Sequence, residues 1–304
     1  MSYTKLYIIG NGFDLHHKIR SDFSDFKAFL KQENNGLFRL VEDYLLDIDR
    51  DEKEWGNFES ALGNIDVAYI VENNSMFLPS YLAEDWSDSG HHDFQYEIDK
   101  IVTSLSATLR NQFANWVRRI EIPDATSAPN RLSTLNMDGL YLNFNYTSTL
   151  TSVYSVPATN ILHIHGEAAM RDTDLVLGHA WNPSERKSLN DHPCIEDQDT
   201  RVTEAYNILD DYFGRTFKPS EKILQENGAF FARLRNIEEI FVLGHSLCDV
   251  DRSYFEAVVK AINVNTAQWT IACREQDDCL GKQALVATFG ISSHLIKTVS
   301  WNAL

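Results

Sequence analysis

The spacing of hydrophobic positions along this chain changes several times. Residues 5 to 9, Lys-Leu-Tyr-Ile-Ile, are a short apolar run ended by Gly10, the pattern of a strand. Beyond it the spacing lengthens to three and four. Ser24 is placed to cap a helix through Phe26, Phe29 and Leu30. Phe94, Ile98, Ile101, Val102, Leu105, Leu109, Phe113, Trp116 and Val117 then form one stripe of a long amphipathic helix. Strand-like runs return at 140–144, 161–164, 175–177, 240–243 and 269–273, with helical patterns at 251–263 and 280–288. Strands alternating with helices predict an α/β fold with a mostly parallel sheet covered on both faces. No fixed-period repeat or low-complexity linker interrupts it. The expected organisation is one α/β domain over 1–304, with a helical insertion at about 30–130 and an irregular insertion at about 180–220.

Composition narrows the partners. With 43% apolar residues the chain can bury a sizeable core, and 27 basic against 44 acidic side chains give a net charge of −17. Such a charge repels nucleic-acid phosphates and anionic membranes, so neither is an expected partner. There is no basic and apolar leader pattern and no apolar run of ~18 residues, and a cytoplasmic location is expected. Cys194, Cys248, Cys273 and Cys279 make no Cys-x-x-Cys pair. Buried free thiols are expected rather than a disulfide framework or a zinc ribbon.

In an open α/β sheet, ligands bind outside the carboxyl ends of the strands. Here those positions are polar: Gly10-Asn11-Gly12-Phe13-Asp14, Asn143-Phe144-Asn145-Tyr146-Thr147, His163-Ile164-His165-Gly166, and Gly244-His245-Ser246-Leu247-Cys248-Asp249-Val250-Asp251. The four clusters are expected to converge on one crevice. Gly10 and Gly12 allow either a loop whose N–H groups approach a phosphate or a tight turn with nothing bound; Leu15 stands where a dinucleotide fingerprint has its third glycine. His16 and His17 suit the surface of the next turn as well as a ligand. The Asn145 carboxamide can hold a water or a ribose hydroxyl, and equally serves as a turn residue. His163 and His165, two apart on a strand, face one side. They suit metal ligation, or one structural histidine beside a catalytic one; no further ligand set accompanies them, and no metal is expected. Gly244-His245-Ser246-Leu247-Cys248 follows a nucleophile elbow until Cys248 replaces its last glycine. Ser246 can instead bind a phosphate or ribose, with Asp249 and Asp251 capping the adjacent helix. Lys218 reads as a loop lysine or a positive group for a phosphate, and Glu59 as a solvated carboxylate or a ribose ligand.

Taken in order, several of these pieces resemble the AbiH family of bacterial abortive-infection proteins. They are Ile9-Gly10-Asn11-Gly12-Phe13-Asp14-Leu15, Ser24-Asp25-Phe26, Trp55-x-x-Phe58-Glu59-x-x-Leu62, Phe144-Asn145-Tyr146-Thr147, His163-Ile164-His165-Gly166, and Leu243-Gly244-His245-Ser246-Leu247 with Asp249, Asp251 and Tyr254-Phe255. More distantly, Gly10-Asn11-Gly12, Asn145, His165-Gly166 and Gly244-His245-Ser246 resemble sirtuin-like NAD-binding domains, which implies a Rossmann-like fold. The chain departs from that pattern in three places. Thr147 stands where the sirtuin pattern has an Asp, Arg20 where its loop has a proline, and the zinc-binding cysteine quartet is missing. Loss of that module with retention of Asn and His is similar to phage-defence domains that consume NAD.

The resemblance implies an NAD+ glycohydrolase (NADase) acting as an antiviral effector, with NAD as substrate rather than cofactor. Asn145 would orient the attacking water and His165 accept its proton, an imidazole suiting a base near neutral pH. Gly10, Asn11, Gly12, Asp14, Thr147, Gly244, Ser246 and Asp249 would line the nucleotide pocket. The alternative is a non-catalytic sensor or scaffold that binds NAD or a related nucleotide. An unrestrained NADase would empty the cell's pool, so a homo-oligomer or a partner protein of a defence system is expected to hold it off, with the helical insertion as the interface.

Overall fold

The computed structural model describes residues 3–46, 58–78, 92–168, 175–193 and 195–304. Trp55 and Cys194 lie outside them. The chain forms two compact units, one of residues 1–22, 116–176 and 219–304, the other of 23–115 and 177–218.

The first unit is built on six strands: β1 (Lys5–Ile9), β2 (Leu140–Asn143), β3 (Ile161–His163), β4 (Glu239–Leu243), β5 (Gln268–Cys273) and β6 (Ile296–Ser300). Their order is β3-β2-β1-β4-β5-β6 and every neighbouring pair is parallel. This is a Rossmann-like sheet, whose strand order reverses between β1 and β4. Side chains alternate across it. Leu6, Ile8, Leu140, Leu142, Ile240, Val242, Trp269 and Ile271 share one core with Tyr254, Phe255 and Val258 of the helix Arg252–Ala261. Tyr7, Ile9, Tyr141 and Leu243 share the other with Phe13, Leu150 and Val153. In register across β2, β1 and β4, Tyr7 stacks on Tyr141 at 4.8 Å and on Phe241 at 4.9 Å, a cross-strand aromatic ladder of the kind that stabilises a sheet.

Two strand expectations change. Residues 175–177 form no strand; the Val176 N–H donates to the His165 carbonyl at 2.9 Å, and the Val176 carbonyl accepts from the Tyr146 hydroxyl at 2.7 Å. The sixth strand is β6, whose polar Lys297, Thr298 and Ser300 hide it in the sequence and suit an edge that faces water.

The second unit is helical among its described residues. Ser24 does not cap its first helix, which runs Phe23–Glu33 and already contains it; Asn34 caps the next, Asn35–Tyr44, by accepting from the Leu37 N–H at 3.0 Å. Phe26 meets Phe113 at 5.3 Å and Phe23 stacks on Phe58 at 5.4 Å. The long amphipathic stripe is helix Asp93–Thr103, a π turn at Ser104–Thr108, and helix Leu109–Arg118. The buried Ser106 hydroxyl donates back to the Val102 carbonyl at 2.6 Å next to that wider turn. No helix among the described residues is long and apolar enough to cross a membrane.

Candidate functional site

At the reversal point of the sheet the loops after β1 and β4 touch backbone to backbone. The Gly10 N–H donates to the Leu243 carbonyl at 3.0 Å and the Gly12 N–H to the Gly244 carbonyl at 2.8 Å. A methyl group on Gly10 would lie 2.6 Å from His245 Cα, and one on Gly12 2.8 Å from Gly244 Cα. Gly244 has φ +77, and a methyl there would lie 2.1 Å from the Phe13 nitrogen. The glycines therefore let two loops meet at the switch point. The two amides expected to cradle a phosphate are engaged by carbonyls of the fold. Asn11 is also held, accepting from the Ser21 hydroxyl at 2.6 Å.

The helix Asn11–His16 carries Asp14 into the interior, where it is 1% exposed. Thr149 donates to the Thr147 hydroxyl at 3.2 Å, and Thr147 donates to Asp14 Oδ2 at 2.6 Å. Asp14 Oδ1 is buried without a hydrogen-bond partner among the described residues. Burial pushes the Asp14 carboxyl up to about 6, against the opposing pull of the Thr147 hydrogen bond. Asn145 sits beside this group: its Nδ2 donates to the Gly10 carbonyl at 3.1 Å, and its own N–H donates to Asn143 Oδ1 at 3.1 Å. The carboxamide oxygen of Asn145 remains as an acceptor, the chemistry needed to orient a water or hydroxyl.

Next to Asn145 in sequence, Phe144 packs on a second cluster. Its ring lies 5.4 Å from His165 and 4.3 Å from His245. Both histidines are buried, and Asp251 stands between them: His165 Nε2 is 3.5 Å from Oδ1, and His245 Nε2 is 3.2 Å from Oδ2. Asp251 was expected to cap the following helix; it occupies the N-cap position of Arg252–Ala261 but makes no side-chain cap bond there. Asp249 likewise makes no cap, and it is exposed. Ser246 is exposed too, and the left-handed residue of the turn is Leu247 (φ +61), not the serine as in a nucleophile elbow.

The remaining candidates have other partners. His163 Nδ1 meets the Asn145 carbonyl at 3.1 Å, and burial lowers its pKa, partly offset by Glu167. His163 and His165 thus pair with different groups, and no metal-ligand cluster occurs among the described residues. His17, one of two histidines open to a surface reading, is buried between the Phe13 carbonyl and the Tyr154 hydroxyl, while His16 stacks on Trp301 at 4.4 Å. In the second unit Lys218 is neither a solvated lysine nor far from Glu59: it is fully buried, with Nζ 3.1 Å from Glu59 Oε1. Of the thiols, Cys273 is buried, Cys279 half-buried and Cys248 exposed.

Sequence reasoning selected Asn145, His165 and Asp14 but missed His245 as a partner and gave Asp251 the wrong one. A histidine and an aspartate six residues apart on either side of a turn were the only available signal. A search of curated proteins finds no significant match. A family model described as bacteriophage abortive infection AbiH matches residues 6–273, a span holding both clusters. The chain belongs to the AbiH family of bacteriophage abortive-infection proteins.

Proposed function

We propose that this chain is an NAD-consuming effector of abortive infection, a glycohydrolase that cleaves the nicotinamide–ribose bond. The observation that carries the reading is the placement of Asn145 and the buried His165–Asp251 pair on neighbouring loops at the carboxyl end of a Rossmann-like sheet. Bond cleavage sends the electron pair to the nicotinamide nitrogen, which leaves neutral, and the ribose passes through an oxocarbenium-like state. Asn145 orients a water toward the anomeric carbon, and His165 takes its proton as the new C–O bond forms. Asp251 stabilises the imidazolium. Asp14, a buried acid with one oxygen unmet, accepts from a donor group of the nucleotide, while Asn11, Thr147, Ser246 and Asp249 shape its surroundings. Self-assembly or a partner protein holds the activity off before infection, with the helical second unit as the contact surface.

A second reading, a sensor that binds the nucleotide without cleaving it, is favoured by one observation: the Gly10 and Gly12 amides are already bonded within the fold. Chromatographic assay of nicotinamide release by pure protein, run beside calorimetry with NAD and ADP-ribose, separates the two. Release that is lost in Asn145→Ala and His165→Ala supports the glycohydrolase. Tight binding with intact NAD supports the sensor.

A further inference from the structure

We propose that Cys273 and Cys279 form a reversible oxidation site, two thiols that close to a disulfide by exchange with a small disulfide such as oxidised glutathione. The site lies in the first unit and does not depend on what the Asn145 and His165 loops bind.

A strand and the helix that follows it make the pair. β5 ends at Cys273, and the helix Gln276–Thr288 carries Cys279 in its first turn. Two bonds pin that turn to the strand end. Asp278 Oδ2 accepts from the Arg274 N–H at 3.0 Å; Lys282 Nζ donates to the Ala272 carbonyl at 3.4 Å and to Asp278 Oδ2 at 3.1 Å. Both chain neighbours of Cys273 are thereby tied to the helix. At about 100° per residue, Lys282 projects between Asp278 and Cys279, so Cys279 belongs to the helix face turned toward the strand end. Cys273 is part of the core on that side of the sheet, and Cys279 packs against the same core. The two thiols lie within hydrogen-bonding reach of each other, and burial, then the Cys279 thiol, push the Cys273 thiol up to about 12.

Access sets the order of events. Cys279 is half-buried, whereas Cys273 is 1% exposed. Deprotonated Cys279 therefore attacks the small disulfide, whose S–S bond breaks as a mixed disulfide forms, and the departing thiolate takes up a proton. Cys273 then gives up its proton and attacks the Cys279 sulfur, and the second small thiol leaves. Two protein thiols lose two electrons and two protons, which the small disulfide gains. Burial works against the Cys273 thiolate in that step; the nearby Lys282 ammonium and the intramolecular attack favour it. Excess small thiol reverses both steps. The bond ties the helix to the carboxyl end of β5, the strand beside β4.

Peptide mapping of the full chain tests this, because trypsin places each cysteine in its own peptide: 188–201 holds Cys194, 236–252 Cys248, 261–274 Cys273 and 275–282 Cys279. Protein is treated with oxidised glutathione at a concentration that modifies the exposed Cys248, alkylated, digested without reductant and analysed by mass spectrometry. The expected product is 261–274 joined to 275–282 with the loss of two hydrogens, and dithiothreitol returns both free peptides. Cys273→Ser is expected to leave glutathione on Cys279, and Cys279→Ser to leave Cys273 unmodified. Wild-type protein in which the two peptides stay unlinked overturns the proposal, as does glutathione on Cys273 in a folded Cys279→Ser protein. If Cys273→Ser does not fold, the wild-type map and Cys279→Ser decide.

Discussion

Thr147 donates its hydroxyl to Asp14 over 2.6 Å, so the loop after β2 is bonded to a buried acid of the helix after β1. The interior keeps this acid at a cost. Its pKa rises from 3.8 to about 6, and at about 1.4 kcal/mol per pH unit that amounts to roughly 3 kcal/mol. Between about pH 4 and about pH 6 the folded chain binds more protons at Asp14 than the unfolded chain, so this group's contribution to stability falls as pH rises through that window. Asp14→Asn removes the ionisation and is expected to raise stability at pH 7.5 by about 1–3 kcal/mol, less the worth of the altered Thr147 bond. Denaturant melts of both proteins at pH 4.5 and pH 7.5 check it; the difference between them should be larger at the higher pH. A variant less stable than wild type at pH 7.5 would show that the carboxylate supports the fold.

The contact of the β1 and β4 loops predicts opposite effects for two glycines. Gly244→Ala forces a Cβ to within 2.1 Å of the Phe13 nitrogen at φ +77, and should prevent folding or cost more than about 3 kcal/mol. Gly281 lies inside the helix Gln276–Thr288 with nothing within 4 Å of its added Cβ, so Gly281→Ala should stabilise by about 0.5–1 kcal/mol. Thermal melts of the two variants read both signs at once.

The buried pair Lys218–Glu59 predicts non-additive losses. Lys218 is fully buried and 3.1 Å from Glu59 Oε1. Lys218→Met removes the cation beside the Glu59 carboxylate and Glu59→Gln removes the anion beside the Lys218 ammonium, so each should destabilise by about 3–5 kcal/mol. The double variant should lose less than the two added together. Urea melts of all four proteins give the coupling; additive losses would mean that the two charges do not depend on each other.

Much of the fold was legible because burial leaves a plain trace in a parallel sheet. Leu6–Ile9, Leu140–Leu142 and Ile240–Leu243 are apolar runs with both faces covered. β6 escaped because an edge strand has little to bury, and 175–177 misled because buried Leu175 and Leu177 look like a strand without pairing as one. Ser24 misled in a different way, since a capping residue type also fits the first turn of a helix that begins one residue earlier. At the candidate site, residue types were readable and partners were not. Gly10 and Gly12 signalled close approach, but whether a phosphate or another backbone does the approaching depends on Gly244, more than 200 residues away. Lys218 and Glu59 are similarly remote in sequence, so nothing local marks them as a pair.

On the proposed function, the Asn145 and His165 loops consume NAD. The most direct measurement is the NAD, nicotinamide and ADP-ribose content of bacteria carrying this chain with its native neighbours, followed by mass spectrometry after challenge with a panel of phages. A phage able to trigger the chain is expected to make NAD fall as nicotinamide and ADP-ribose rise in step, and Asn145→Ala or His165→Ala is expected to abolish both the loss and the protection. Protection that persists in those variants, with NAD unchanged throughout, would contradict it.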